Sequence, residues 1–332
     1  MKIGFIGYRN HAKRLMALVD QLAFRKEFII YYPDSRKLSA SFSGEGLKAK
    51  IELTSVLRPL YDTDVVFIAS PARTHFHYLD LLRKNFKGYI FCEKPPCSNL
   101  KELNALAAFN PRFKSRCLFN FCFRHSLFSK ACSSAIKSGK HGTPISLSFR
   151  NSHGLAFKES FSSNWRNTSR GVLENILGNL GIHYVDLTAH LLGKVKNITA
   201  HSVKISGRTR HKDSVILIIE TGSALPTTIF LSYACPHEDS AKLVLSDGII
   251  ELDNGVLSLR RPRDTFDKSG LFAPPPADVI ATFANARSYY DDAIKGSISD
   301  FFKVIKASSG IPLSNFASSI NSTRLLLVNK GN

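Results

Sequence analysis

Short apolar segments alternate with helix-like segments through the first third of the chain, and this alternation constrains the fold more than any other feature of the sequence. Strands separated by helices form βαβ units, which assemble into a parallel sheet covered by helices. The predicted strands span residues 2–6, 27–32, 64–70, 89–92 and 116–121, with one more between 37 and 63, and the predicted helices span 10–22, 74–84 and 99–109. Six strands are the number that two mononucleotide-binding halves require. The pattern therefore predicts a doubly wound Rossmann domain.

The pattern changes after about residue 122. A helix at 126–138, which Gly139 is placed to end, precedes a strand at 144–149, a polar loop at 151–170 and an apolar helix at 177–192. Six strands then follow without intervening helices, at 198–205, 214–220, 227–233, 242–245, 248–252 and 256–260, and the tail at 278–332 reads as helical with a break at Pro312. Strands in direct succession pair antiparallel. We predict an α/β protein with a Rossmann domain at 1–122 and an α+β domain with a large, mostly antiparallel sheet at 123–332.

The charge of the chain bears on its partners. The 332 residues carry a formal net charge of +19, from 45 Lys and Arg against 26 Asp and Glu. An electropositive surface attracts anions such as nucleic acid, membrane headgroups or phosphorylated metabolites. The basic residues are spread along the chain without a basic helix interleaved with aromatics, so nucleic acid is not the expected partner. A generally basic, solvated surface is the simplest interpretation.

Apolar runs and cysteines restrict the class of protein further. No apolar run approaches the roughly 20 residues that cross a bilayer, and the N-terminus enters a strand pattern directly. The six cysteines show neither a CxxC pair nor metal-ligand spacing. Their low density favours reduced thiols. We therefore expect a cytoplasmic protein with no membrane partner and no metal site.

The turn after the first predicted strand contains part of a dinucleotide fingerprint. In the pattern G-x-G-x-x-G/A, Gly7 and Ala12 fit, whereas Arg9 replaces the second glycine, which normally lets the backbone approach the pyrophosphate. A guanidinium can itself bind a diphosphate. Gly7, Tyr8, Arg9 and Asn10 are therefore candidates for cofactor binding, with an ordinary tight turn as the alternative.

The end of the second predicted strand bears on the choice of cofactor. Asp34 follows Ala12 by 22 residues, close to where an acidic residue accepts the ribose hydroxyls of NAD. Ser35 and Arg36 come next and could instead hold the 2′-phosphate of NADP. A turn-forming aspartate after Pro33 is the other interpretation. The sequence leaves NAD and NADP as alternatives.

Two further segments resemble the Gfo/Idh/MocA family of NAD(P)-dependent oxidoreductases. Residues 70–75 (SPARTH), followed after one predicted helix by residues 93–95 (EKP), are similar to the family's TPxxxH-like turn and EKP strand end. Residues 181–193 (GIHYVDLTAHLLG) resemble the family's GxHxxDxxxxLxG helix. The order of predicted elements agrees with the family over nearly the whole chain.

The resemblance implies an NAD or NADP cofactor and roles for individual residues. The cofactor side would include Ser70, Pro71, Thr74, His75, Glu93 and Lys94. Oxidation of a carbinol carbon needs a base for the hydroxyl proton, and the resemblance gives this work to Lys94 and His183. The plainer alternatives are a solvated loop lysine and a core histidine bonded to a backbone carbonyl.

The second family motif also implies substrate contacts. Asn179 lies four residues before His183, where many family members have an aspartate. An amide can orient a substrate but cannot act as a base, so the proton falls to Lys94 or His183. Asp186 either orients the imidazole of His183 or is an exposed helix acid.

Four more residues complete the candidates for substrate binding. Asn120 and Arg124 resemble the family's N-x-R-[FY] region, and Trp165 and Arg166 resemble a WR pair found in members that act in surface-polysaccharide synthesis. An arginine at this place suits a carboxylate or diphosphate. Glu174 is a spare acid–base candidate.

The implied function is hydride transfer between nicotinamide and a sugar hydroxyl or ketone. The charge of +19 mildly favours an anionic sugar, such as a nucleotide-linked one. The alternatives are a degenerate member that binds cofactor or sugar as a sensor or scaffold, and a reductase of a non-sugar carbonyl. The resemblance further implies that residues 123–332 bind substrate, that their sheet is open-faced, and that this open face forms the contacts of a homodimer or homotetramer.

Overall fold

The computed structural model describes residues 1–34, 46–168, 173, 175–223, 225–307 and 310–328, without the side chains of Trp165 and Thr168. Of the predicted site residues, Ser35, Arg36 and Glu174 lie outside the described residues. The chain forms two compact units. Unit 1 contains Met1–Phe121 and Ile294–Thr323, and unit 2 contains Cys122–Ala293 and the chain from Arg324 onward. The predicted domains, 1–122 and 123–332, are two consecutive segments of the chain. In the structure, residues 294–323 belong to unit 1 together with the N-terminal segment.

Unit 1 is built on a six-stranded sheet whose neighbouring strands are all parallel. The strands are β1 (Lys2–Ile6), β2 (Glu27–Tyr31), β3 (Lys50–Thr54), β4 (Val65–Ile68), β5 (Tyr89–Cys92) and β6 (Cys117–Phe119), in the order β3-β2-β1-β4-β5-β6. The helices are α1 (Asn10–Asp20), α2 (His75–Asn85), α3 (Leu100–Ala107) and α4 (Pro111–Lys114). The order reverses between β1 and β4, which is where nucleotides bind in such sheets. The predicted Rossmann architecture is confirmed.

Stacked phenylalanine rings form the centre of unit 1. The Phe67 ring on β4 lies 5.0 Å from that of Phe5 on β1 and 4.8 Å from that of Phe91 on β5, centroid to centroid. The edge of Phe301 meets the Phe67 ring at 5.9 Å. The strands read as continuous apolar runs because both faces of a parallel sheet are buried. Part of the chain's unusual stock of 24 Phe therefore fills this core.

Unit 2 contains an eight-stranded sheet in the order β14-β13-β12-β11-β7-β10-β9-β8. The strands are β7 (Pro144–Ser152), β8 (Val195–Val203), β9 (Ser214–Thr221), β10 (Pro226–Ser232), β11 (Glu238–Leu245), β12 (Gly248–Asp253), β13 (Val256–Arg260) and β14 (Ala277–Thr282). Only β7 and β10 pair in parallel among these described strands. The helices are α5 (Leu127–Ser138), α6 (Trp165–Thr168), α7 (Ile182–Leu192), α8 (Ala286–Ala307) and α9 (Phe316–Val328), and the last two carry residues of both units.

One face of this sheet is open. Along β9, Val215, Leu217 and Ile219 are buried, whereas Ile216 and Ile218 between them are exposed. This period of two is that of a strand with one face packed against a core. The predicted mostly antiparallel, open-faced sheet is confirmed.

The prediction that the whole tail from residue 278 is helical is wrong. Ala277–Thr282 forms β14, whose Ala281 pairs with Leu257 of β13 in antiparallel register. Five of its six residues are exposed, so the segment has no alternating buried face to indicate a strand. Pairing with β13 determines its conformation, and a sequence pattern does not carry that information.

The described residues contain no helix with both the length and the apolar character needed to cross a bilayer.

We expect Phe67→Ala to lower the free energy of unfolding by about 3–5 kcal/mol, because it removes a fully buried ring and leaves a cavity among Phe5, Phe91 and Phe301. Urea denaturation followed by circular dichroism measures the change. The control is Phe272→Ala, since Phe272 is 83% exposed and its loss should cost less than about 1 kcal/mol. Equal effects of the two substitutions would contradict this assignment of the core.

Candidate active site

The turn after β1 requires glycine at position 7. Gly7 has φ of +104°, and a Cβ there would lie 3.0 Å from the carbonyl oxygen of Ala69 and 3.1 Å from the nitrogen of Ser70. Its N–H donates to the carbonyl of Tyr31 at the end of β2 (3.1 Å). The turns that follow β1 and β4 therefore pack backbone to backbone at the point where the strand order reverses.

Arg9 does not distort this turn. It occupies the N-cap position of α1 with φ −100° and ψ 179°, an extended conformation that any residue adopts. A guanidinium has no hydrogen-bond acceptor, so Arg9 cannot cap the first N–H groups of α1 in the usual way. Those donors, with the exposed Asn10 beside them, suit a phosphate group.

Two other predicted cofactor residues of this region differ in exposure. Tyr8 is buried, and the ammonium of Lys13 lies 4.6 Å from the centre of its ring. Asp34 is half-buried three residues after the end of β2, where the ribose-binding acid is expected. The residues present fit a dinucleotide.

The turn after β4 is joined to the turn after β5 by His75. The Thr74 hydroxyl donates to the Ser70 hydroxyl (2.7 Å), while the buried His75 ring lies between two carbonyls. Its Nδ1 is 2.7 Å from the oxygen of Pro95, and its Nε2 is 2.8 Å from the oxygen of Ser70. Burial lowers the pKa of His75 despite these two backbone hydrogen bonds, which favours the neutral ring and donation to one carbonyl at a time.

Glu93 forms the centre of a buried polar cluster that also includes His11 and Asn120. Its Oε1 is 2.7 Å from Nε2 of His11 and accepts a hydrogen bond from Nδ2 of Asn120 (2.7 Å). Burial by itself raises the pKa of this carboxyl, but the charge and hydrogen bond of His11, together with the bond from Asn120, hold the pKa below its ordinary value. Glu93 is 6% exposed and is ionised within this cluster.

Lys94 lies between these two anchored residues. It is half-buried, follows Glu93 directly and precedes Pro95 through a cis peptide bond. Glu93 and Pro95, on either side of Lys94, are thus held by the side chains of His11 and His75, which come from other turns at the same edge of the sheet. Sequence reasoning did not assign a role to His11, although its place in the first turn of α1 puts it at the edge where the parallel strands end.

His183 lies in unit 2, at the start of α7. A π-helical turn, Leu177–Gly181, precedes this helix, whereas the sequence predicted one uniform helix at 177–192. A Cβ on Gly178 would lie 2.2 Å from the backbone oxygen of Leu173, so the close approach there requires glycine. Turns of this kind occur often at functional sites. The His183 ring packs against Phe123 at 5.0 Å and meets Tyr290 nearly edge-on at 6.3 Å.

Arg124 and Asp186 form a buried ion pair in unit 2. Arg124 Nε donates to Asp186 Oδ2 (2.8 Å), and Nη2 donates to Oδ1. The two side chains are 4% and 1% exposed. Asp186 is therefore not an exposed helix acid, and its carboxylate binds Arg124. The structure assigns both residues to this contact, and contact with a substrate stays a prediction for them and for the fully buried Asn120.

Tyr233, at the end of β10, gathers several side chains of unit 2. Asn179 Nδ2 donates to its hydroxyl (2.8 Å), Arg166 also makes a hydrogen bond to it, and the His153 ring stacks on its ring at 5.0 Å. Burial raises the pKa of Tyr233 although the bonds from Asn179 and Arg166 oppose the shift. Burial and the charge of Arg166 lower the pKa of His153.

This cluster brings together two predicted substrate residues, Arg166 and Asn179, with two that the sequence did not single out. Tyr233 ends a predicted strand, and His153 lies in the predicted polar loop. Neither occurs in a motif that could have indicated its role. The side chain of Trp165 lies outside the described residues.

Two family models match the two parts of the chain. One, described as an oxidoreductase family with an NAD-binding Rossmann fold, matches residues 1–121, and a Gfo/Idh/MocA C-terminal domain matches residues 130–251. The chain belongs to the Gfo/Idh/MocA family of oxidoreductases. The resemblance found in the motifs is thereby confirmed, as is the expectation of a nicotinamide dinucleotide cofactor, NAD or NADP.

Individual relatives are distant in sequence and similar in structure. D-apiose dehydrogenase of Paraburkholderia graminis is 23% identical over an alignment of 253 residues, and the alignment covers 73% of this chain and 64% of that protein. The alignment thus spans less than two-thirds of the length of this curated relative.

Solved structures match over nearly the whole chain. Levoglucosan dehydrogenase in complex with NADH and levoglucosan has a TM-score of 0.80 at 16% identity, with 98% of this chain and 95% of that one covered. UDP-N-acetylglucosamine 3-dehydrogenase from Acidithiobacillus ferrooxidans has a TM-score of 0.75 at 15% identity, with 99% and 96% covered. At these identities the likeness establishes the fold.

We expect Asp186→Ala to lower the free energy of unfolding by about 3–5 kcal/mol, because it leaves the guanidinium of Arg124 buried without its carboxylate. The double variant Arg124→Met, Asp186→Leu replaces both charges by apolar groups and should recover most of this loss. Urea denaturation of the three proteins measures the effect. A double variant no more stable than Asp186→Ala would contradict the assignment of the ion pair.

Proposed function

We propose that this protein is an NAD(P)-dependent dehydrogenase or reductase acting on CH–OH groups, and that it transfers hydride between nicotinamide and a sugar hydroxyl or ketone. We further propose that the sugar is nucleotide-linked or otherwise anionic and belongs to surface-polysaccharide biosynthesis. Family membership supports the reaction class. The relatives described above are dehydrogenases of D-apiose, levoglucosan and UDP-N-acetylglucosamine, and they support a sugar or sugar derivative.

The observation that carries the proposal is the anchoring of the Lys94 turn. The residue before Lys94 is held by His11 from the turn after β1, and the residue after it is held by His75 from the turn after β4. Those two strands are the ones between which the strand order reverses. A lysine fixed at the nucleotide-binding edge of the sheet is placed to serve the chemistry of a bound dinucleotide.

The residues that would hold the cofactor belong to unit 1. Gly7 lets the turns after β1 and β4 pack closely at this edge, Arg9 and Asn10 lie exposed beside the first N–H groups of α1, and Asp34 suits a ribose. When bound, the nicotinamide ring accepts or donates the hydride.

The side chains of Lys94 and His183 take up or return the hydroxyl proton in this proposal. A neutral amine or imidazole accepts the proton during oxidation, and the protonated group returns it during reduction. Asn179 has no proton to exchange in this way, and its bond to Tyr233 suits an orienting role.

The side chains gathered around Tyr233 in unit 2 include Arg166 and support an anionic substrate. Arg166 presents a planar guanidinium, which suits bidentate binding of carboxylate or phosphate. Its partner Tyr233 and the stacked ring of His153 present polar groups within the same cluster. The chain's charge of +19 favours the approach of an anion in addition.

Two further proposals concern assembly and compartment. The exposed Ile216 and Ile218 of β9, with Val203 of β8, form an apolar strip on the open face of the sheet, and a second copy of the chain covering it would give the expected homodimer or homotetramer. All six cysteines, each within the described residues, are outside disulfides. Five of them are buried, and thiols outside disulfides support a cytoplasmic location.

We expect the purified protein to bind NADH or NADPH in the micromolar range, and we expect Lys94→Ala to keep that affinity while kcat falls by about 10²–10⁴-fold. The loss follows because the variant removes a proton-transferring group without altering the phosphate-binding turn. Transfer of fluorescence from protein to nicotinamide measures binding, and absorbance of the reduced cofactor measures turnover on a panel of neutral sugars, sugar acids and nucleotide sugars.

Lys101→Ala is the matched control, because Lys101 is exposed on α3. Cofactor binding without turnover of any sugar would favour the alternative in which the protein is a sensor or scaffold. Turnover of a non-sugar carbonyl alone would favour the alternative in which it is a reductase of such carbonyls. Failure to bind either nucleotide up to millimolar concentration would contradict the proposal altogether.

We expect Arg166→Gln to raise KM for an anionic sugar by about 10–100-fold, because it removes a hydrogen bond to a charged group. KM for a neutral sugar should stay within about twofold. Steady-state kinetics of the two substrates provides the comparison, with the exposed Arg263→Gln as control. A parallel rise of both KM values would show that Arg166 does not select charge.

A further inference from the structure

We propose that His11 is a positioning residue that holds the Lys94 turn through the carboxylate of Glu93. The inference rests on the proposed function, in which Lys94 handles the substrate proton. It gives a role to a side chain that stands in the first turn of α1, beside the residues that suit the cofactor phosphates. His11 acts through Glu93 on the turn and not by binding phosphate.

The contacts before Lys94 fix Glu93 at three points. Its N–H donates to the carbonyl of Ile68 (2.9 Å), which continues the register of β5 against β4. Its Oε1 lies 2.7 Å from Nε2 of His11 and accepts a hydrogen bond of 2.7 Å from Nδ2 of Asn120. A carboxylate that is 6% exposed needs such partners, because burial without them costs far more than a neutral group does.

The contact after Lys94 fixes the backbone. The carbonyl of Pro95 lies 2.7 Å from His75, whose other ring nitrogen lies 2.8 Å from the carbonyl of Ser70. Lys94 therefore stands between two anchors on neighbouring residues. Of the two histidines, His75 is fully buried and ties backbone to backbone, whereas His11 is partly exposed and binds a side chain.

This difference makes His11 the anchor that can be changed without disturbing the core. Loss of its imidazole leaves the ionised Glu93 with the neutral amide of Asn120 as its remaining side-chain contact from the cluster. Each hydrogen bond to this ionised carboxylate is charge-assisted and about twice as strong as a neutral one, so loss of the contact with His11 should let the carboxylate shift and move Lys94 with it. A displacement of about 1 Å near reacting atoms can cost a hundredfold in rate.

The first experiment compares two substitutions of His11. In His11→Gln the amide nitrogen can occupy the position of imidazole Nε2 and donate to Glu93, whereas His11→Leu removes the donor. We expect His11→Leu to lower kcat by about tenfold or more with NADH affinity within about threefold of the unchanged protein. His11→Gln should restore kcat to within about threefold, because it keeps the hydrogen bond.

The matched control is His77→Leu, the same chemical change at an exposed position on α2, which should leave kcat within about twofold. Loss of NADH affinity with unchanged kcat in His11→Leu would make His11 a cofactor ligand and overturn the proposal. Equal activity of the leucine and glutamine variants would overturn it as well.

A second variant covers the case in which His11→Leu does not fold. Glu93→Gln keeps the shape of the side chain and removes the charge that His11 binds. We expect it to lower kcat like His11→Leu, and the double variant to be no worse than the poorer single variant, because both act through one contact. If the double variant folds and the two effects multiply, the residues act independently and the inference fails.

A third readout separates this inference from the proposed function. The acetylation rate of Lys94 by isotope-labelled acetic anhydride, measured by mass spectrometry against exposed Lys101 in the same sample, requires no sugar substrate. We expect this ratio to change at least about threefold in His11→Leu and to return in His11→Gln. No turnover on any substrate would remove the proposed function while this ratio still tests the anchoring, and an unchanged ratio in His11→Leu would overturn the anchoring alone.

Discussion

The parallel arrangement of six strands is the constraint on which the site in unit 1 depends. Parallel strands end at one edge of a sheet, so turns distant in sequence meet there. The turns after β1, β4 and β5 thereby bring together His11, His75 and Glu93 around Lys94. Hydrogen bonds between these turns fix the positions of the side chains, which the sheet alone does not. The fold thus provides a common edge, and a few polar side chains fix the geometry at that edge.

A buried carboxylate bound by a basic side chain accompanies each of the two residues proposed for catalysis. Glu93 precedes Lys94 and binds His11, and Asp186 follows His183 by one helical turn and binds Arg124. Charges buried in this way contribute little to stability compared with apolar side chains of similar volume. They do restrict the backbone, because each charged group accepts few alternative positions. Such pairs can therefore hold the backbone in a fixed position next to a side chain that transfers a proton, which is a physical reason for their location beside Lys94 and His183.

Several expectations from the sequence depended on residue spacing and were confirmed because spacing reports local periodicity. The Rossmann strands follow from the apolar runs that burial imposes on each strand, and the mostly antiparallel second sheet follows from the succession of strands without intervening helices. The sequence pattern did not predict the strand Ala277–Thr282, because nearly all of its residues are exposed and the strand forms by pairing with β13. The sequence pattern did not predict the π-helical turn at Leu177–Gly181, because an apolar run does not distinguish such a turn from an α-helix. The close approach of Gly178 to the backbone of Leu173 is visible only in the structure.

The sequence by itself determined the fold class, the family and the two motifs that contain Lys94 and His183, since these depend on periodicity and on short contiguous patterns. Only the tertiary structure decided which side chains meet. It paired Asp186 with Arg124, joined Asn179 and Arg166 at Tyr233, and linked His11 to Glu93. Each of these contacts joins residues more than 50 positions apart, and their partners depend on how the strands and helices pack in three dimensions, which no local pattern records.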